Sequence, residues 1–176
     1  MKAAAILILF CTLLFGCTQT AVQAPEASKP VVLLTPIEAM RGGKNFDIFV
    51  NLPNDLDKKV AQQYELDADA IRTAAELRCR SLGLPVLAQG GSTNNHLVIT
   101  VNALSIPNQL VYSIQVDFMQ AVKISGAEDN QVAGASTWSA DYMGLLGENR
   151  AAGLRKVIGE TVDKFVNDYL TANPKK

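Results

Sequence analysis

The chain has 176 residues, 48% of them hydrophobic and 19% charged, with a formal net charge of −1. That is the size and composition of one folded domain, and the near balance of acids and bases excludes a basic footprint for nucleic acid or anionic headgroups. Three cysteines and a single histidine leave little material for a disulfide framework, a Cys-His pair or a histidine metal site.

Met1 and Lys2 give a short positive start, and residues 3–15 form an almost unbroken apolar run. A run of about 13 apolar residues is shorter than the ~20 of an ordinary membrane span, so the segment reads as an export signal. Its end, Leu14-Phe15-Gly16-Cys17, resembles the lipobox of bacterial lipoproteins, in which an aliphatic, a variable and a small residue precede the cysteine. The resemblance covers the leader alone. It implies a diacylglycerol on the Cys17 thiol, cleavage just before Cys17 and acylation of the new amino group. The alternative is a conventional cut after Val22-Gln23-Ala24, against which Pro25 stands. Thr18 follows the cysteine where an Asp would favour the inner membrane. By the same resemblance this implies a lipid-anchored place on the outer membrane, facing the periplasm, with inner-membrane anchoring as the alternative. Several acyl chains make such an attachment durable where a single one is marginal.

Residues 18–30 are rich in Thr, Gln, Ala, Ser and Pro without apolar periodicity and read as a tether, about 45 Å long if fully extended. The expected organisation is a signal peptide over 1–16, anchor and tether over 17–30, and a single α+β periplasmic domain over 31–176. Residues 31–34 are a short apolar run, an edge strand or the end of the tether. In residues 46–52 Phe46, Ile48, Val50 and Leu52 alternate with Asp47, Phe49 and Asn51, the period of a strand with one apolar face, and Pro53 stops it. A helix is expected within residues 60–82, its well-formed part capped by Asp67 and ended by Gly83 and Pro85. Ala70, Ile71, Ala74, Ala75, Leu77 and Leu82 make its broad inner face. Arg78 lies near that face with its head toward the rim. Cys79 sits in the same pattern as a small core residue. Cys11 leaves with the signal and Cys17 is committed to lipid, so Cys79 has no disulfide partner.

The loop of residues 90–95, Gly-Gly-Ser-Thr-Asn-Asn, lacks the spacing of a phosphate-binding loop and leads into a strand, so it reads as a turn. Three strands follow, over residues 97–104, 110–124 and 132–143, with turns at 105–109 and 125–131, an antiparallel meander. The middle one sets Leu110, Tyr112, Ile114, Val116, Phe118 and Val122 on one face and Ser113, Gln115, Asp117 and Lys123 on the other. In the last, parity groups Trp138 with Val132 and Tyr142 toward the core. The C-terminal helix repeats Leu154, Val157, Ile158, Thr161, Val162, Phe165, Val166, Tyr169 and Leu170 at helical spacing, with Asn149 as its candidate start and Pro174 beyond its end.

The order β-α-β-β-β-α predicts an α+β two-layer sandwich: an antiparallel-rich sheet of about four strands with two helices on one face. If the first two strands are neighbours, the first helix is the crossover between them. This order is similar to that of envelope assembly lipoproteins, including the lipopolysaccharide-assembly lipoprotein, a likeness of architecture alone.

No catalytic, cofactor-binding or metal-binding residues are expected, and no cofactor. The lone His96 lies at the mouth of a strand, and Asp55, Asp57, Asp67 and Asp69 serve loops and helix starts. The expected role is a non-catalytic envelope adaptor or assembly factor. Its partners are the membrane, through lipidated Cys17, and an envelope protein held on the polar sheet face, an open sheet edge or the loops. A small lipid- or glycan-binding module is the alternative, and an envelope hydrolase ranks last.

Overall fold

The computed structural model describes residues 34–42, 45–88, 91, 93–123, 132–147 and 151–174. The leader, Cys17, the tether, Gly90 and Ser92 of the Gly-rich loop, the 125–131 turn and Asn149 lie outside the described residues, as does most of the 31–34 run. In chain order the elements are α1 (Pro36–Ala39), β1 (Asp47–Asn51), α2 (Lys58–Gln63), α3 (Ala68–Ser81), β2 (His96–Ile106), β3 (Gln109–Lys123), β4 (Val132–Gly147) and α4 (Ala151–Ala172).

The expected α+β architecture is present: one four-stranded sheet in the order β1-β2-β3-β4. β1 pairs parallel to β2, and the other two pairings are antiparallel. The helical segment between the first two strands is therefore a crossover. It is broken into α2 and α3 at Glu65, whose φ of 53° no helix accommodates. α3 then restarts on the expected cap, Asp67 accepting from the Ala70 N–H at 2.7 Å, and stops at Gly83, where φ is +79°. The small helix α1 was not expected, yet Thr35-Pro36-Ile37-Glu38 spells a capping box. Thr35 Oγ1 accepts from the Glu38 N–H at 3.2 Å, and the Glu38 carboxylate accepts from the Thr35 N–H at 2.9 Å.

The sheet is amphipathic across its thickness. Ile48, Leu97, Ile99, Val101, Leu110, Ile114, Val116 and Phe118 are buried on the face that carries α3 and α4. At the centre, Phe46 meets Phe118 and Phe165 edge-on at 5.7 and 5.6 Å, and Trp138 meets Phe165 at 5.3 Å. Full burial of each large side chain stabilises by roughly 1.5–3 kcal/mol, with the edge-to-face geometry adding about 0.5–1.5 kcal/mol per ring pair.

Three expectations need correction. Ala70, Ala74, Leu77 and Leu82 are exposed, because α3 turns a narrower stripe inward, Ile71, Ala75 and Cys79, spaced four apart. The 105–109 turn shrinks to Pro107-Asn108, since Asn108 adopts φ 61° and lets both strands run on to Ile106 and Gln109. β4 is longer than expected and carries a bulge: Phe118 pairs with Trp138 but Met119 with Ser136, leaving Thr137 as the extra residue. The bulge reverses parity below Trp138. Trp138 is buried as expected, while Val132, grouped with it, lies on the opposite face and is exposed. Tyr142 keeps the core-side parity but sits in the outer strand and is also exposed.

Candidate interaction surface

Successive side chains in a strand point to opposite faces, so the residues between the core positions of β1 to β4 form a second face that no helix covers among the described residues. Its middle is polar. Asn51, Thr100, Gln115 and Asp141 lie in register across all four strands. Asn102 Nδ2 donates to Ser113 Oγ at 3.2 Å, and Ser136 Oγ donates to Asp117 at 3.0 Å. One end is apolar: Leu104, Val111 and Leu145 are cross-strand partners, flanked by Met143 and Ile106. Met143 is 82% exposed, Leu104 64% and Leu145 62%, values that mark side chains standing in solvent. At the other end a shallow basin of about 640 Å³ is floored by Val98 and Met119 and walled by Phe49, His96 and Val132. His96 stacks edge-on against Phe49 at 5.1 Å, and its Nδ1 is buried without a hydrogen-bond partner.

Asp47, expected on the polar face, is instead buried at the β1 edge. It accepts from the Arg72 guanidinium at 2.8 Å and from the Ile48 N–H at 2.7 Å. Arg72 also reaches Glu76 at 2.8 Å, and Glu76 holds Arg80 at 3.0 Å. This chain of charges ties α3 to β1. Two of the other carboxylates singled out in the sequence are structural as well: Asp57 caps α2 through the Lys59 N–H at 2.7 Å, and Asp67 caps α3.

On the opposite side of the molecule α3 and α4 leave a cleft of about 220 Å³, floored by Ala74, Ala75, Ile158 and Gly159. Both arginines at its rim are compensated, Arg78 by a bidentate bond to Asp163 and Arg155 by Glu65 at 2.9 Å. The Arg78 bond holds the Asp163 carboxyl below its ordinary value and raises the guanidinium above its own. Cys79 is fully buried beneath, and burial pushes its thiol up to about 12, which leaves it without nucleophilic thiolate at neutral pH. Trp138 donates its indole N–H to Asp168 at 2.9 Å, with the Lys164 ammonium 5.0 Å from the ring centre.

Among the described residues no group of three or more His, Cys, Asp or Glu side chains converges as a metal site. None of the described helices is long and apolar enough to cross a membrane. Cys17, the one site residue predicted from the sequence, lies outside the described residues. The uncovered apolar end of the sheet was missed. Leu145 falls past the expected end of its strand, and the placement of Leu104 depends on register.

No protein-family model matches the chain, and no curated protein matches it. Among solved structures it is similar to a variant of the PelC dodecamer from Paraburkholderia phytofirmans, at 14% identity and a TM-score of 0.42 over 80% of this chain and 92% of that one. It is also similar to an uncharacterised protein, at 10% identity and a TM-score of 0.42 over 79% of this chain and 95% of that one. A minor lipoprotein from Acinetobacter baumannii is similar at 12% identity and a TM-score of 0.33 over 73% of this chain and 91% of that one. At these scores the likenesses assign no function.

Proposed function

We propose that the chain is a bacterial lipoprotein, anchored through lipid on Cys17 to the outer membrane and facing the periplasm, whose α+β domain is a non-catalytic adaptor or assembly factor. The observation that carries the adaptor reading is the uncovered face of the sheet. Leu104, Met143 and Leu145 stand in solvent beside a hydrogen-bonded polar belt, the mixture of apolar anchor and polar surround that suits a protein contact. The anchor rests on the charge, apolar length and small-residue cues of the leader. A lipid- or glycan-binding module is the second reading, favoured by the α3/α4 cleft. At about 220 Å³ that cleft is smaller than the roughly 300–1,000 Å³ of pockets that enclose a drug-sized ligand, and the larger basin beside Phe49 and His96 is a shallow, open depression that encloses nothing, which ranks this reading behind the adaptor.

Two experiments test the parts separately. Labelled fatty acid is expected to enter the wild-type chain and not Cys17→Ala, and incorporation into the variant would remove the anchor. For the adaptor, a photoreactive group at position 104 in intact cells is expected to form a reproducible adduct with an envelope protein. Labelling of lipid or glycan alone would favour the second reading.

A further inference from the structure

Free sheet edges invite pairing, and proteins normally blunt them with lysine, proline, bulges, short strands or a covering element. The β1 edge follows that practice: it is five residues long, is followed by Pro53, and is flanked by the Phe46–Val86 bridge and the Arg72–Asp47 ion pair. β4 is less protected. α1 packs against part of it, but the strand is sixteen residues long, contains no Lys, Arg or Pro, and carries one charge, Asp141. Its single bulge lies at Thr137, so the stretch from Trp138 to Gly147 is unbroken. Among the described residues its backbone pairs with β3 and with nothing on the outer side. Of the ten exposed large hydrophobic side chains among the described residues, four, Val132, Tyr142, Met143 and Leu145, belong to this one strand, which concentrates apolar surface at the edge.

We propose that β4 is the seam of a two-fold symmetric association between two copies of this chain, with the two strands antiparallel and centred on Gly144. The sequence Asp141-Tyr142-Met143-Gly144-Leu145-Leu146-Gly147 is self-complementary about that glycine. Met143 falls opposite Leu145 of the second copy, Tyr142 opposite Leu146, and Asp141 opposite Gly147, so apolar meets apolar on both faces and the lone carboxylate meets a hydrogen. Opposed residues share parity, so the helix-covered faces of both copies lie on the same side.

Neighbouring registers are worse. Centring on Asp141 sets two carboxylates face to face, centring on Tyr142 sets Asp141 against Met143, and centring on Met143 sets it against Leu145. Moving the centre toward Gly147 shortens the pair. A foreign strand would have no reason to match this symmetry. Seven paired residues extend about 24 Å, and the contact belongs to the small, transient class of interfaces.

The test uses two differently tagged full-length copies in intact cells, one with Met143→Cys and one with Leu145→Cys. Directly opposed Cα atoms lie about 4.5–5.5 Å apart, within disulfide range, whereas the Met143 positions of the two copies are only diagonal neighbours. Mild oxidation is expected to give a mixed dimer at several times the yield of the Met143→Cys self-pair. Adding Tyr142→Lys to both copies is expected to abolish it. All three positions are exposed, so the fold tolerates the changes. The proposal is overturned by a yield no higher than that of the chain with its natural cysteines, by a mixed dimer no more abundant than the self-pair, or by a dimer indifferent to Tyr142→Lys. It is overturned too if Met143→Cys joins a protein of another mass, which would give the edge to a foreign strand.

Discussion

Cys79 feels the charge of Asp163, yet the two groups answer to opposite physics. Asp163 is partly exposed and bonded to Arg78, which lowers its pKa below the ordinary 3.8. A carboxyl whose folded pKa is depressed contributes stability that is complete above its unfolded pKa and is lost as pH falls through the folded one. Asp163→Asn is therefore expected to lower the melting temperature at pH 7 and to leave a gap that closes as pH drops below 3.8. A gap constant with pH would show that the ion pair contributes nothing. Cys79 is governed by burial instead. With its thiol pushed up to about 12, it is expected to resist maleimide in the folded chain at pH 8 and to react once the chain is unfolded. Cys79→Ser places a hydroxyl in the apolar layer between α3 and the sheet, at a cost of about 1–3 kcal/mol measured by denaturant unfolding.

At the scale of elements, β4 shows what local pattern reveals and what it hides. The Asp67 cap, the period-2 face of β1 and the 3.6-residue face of α4 are written in consecutive residues, and each formed as read but for the buried Asp47 of β1. Thr137 carries no such mark. A bulge inserts one residue, and nothing in Ser136-Thr137-Trp138 distinguishes it from regular strand, so the parity of Val132 was legible only from pairing with β3. The exposure of Leu77 and Leu82 depends likewise on where α4 lies. Of the candidate surface, the polar belt was legible through Ser113, Gln115 and Asp117. The apolar end was not, because it joins residues from three strands. The two glycines near that end separate packing from strand propensity. A methyl group on Gly144 would stand 2.5 Å from the Tyr112 hydroxyl, with the ring carbons at 2.7 and 2.9 Å, whereas one on Gly147 would meet nothing within 4 Å. Gly144→Ala is expected to destabilise by about 1–3 kcal/mol as the buried Tyr112 is displaced. Gly147→Ala is expected to change stability by less than about 0.5 kcal/mol in the same assay.

For the whole molecule, the division of the sheet into a covered and an uncovered face separates what stabilises the domain from what it offers outside. The covered face holds the aromatic cluster, and truncating Phe165 there removes a side chain with no exposed surface. Leu104 and Ile106 lie across the sheet from β4, on the face and away from the edge. Leu104→Lys with Ile106→Lys is therefore expected to leave the melting temperature within a few degrees of wild type, since exposed substitutions of this kind stay near ±0.5 kcal/mol each. If the face is the contact surface, the same double variant loses envelope-partner capture by at least tenfold, because a buried lysine in an apolar contact is left unpaired. Pairing through β4 does not use these two side chains and is expected to survive. Capture unchanged by the double variant would move the partner off this face, and a fall in both capture and melting temperature would show Leu104 and Ile106 to be structural instead.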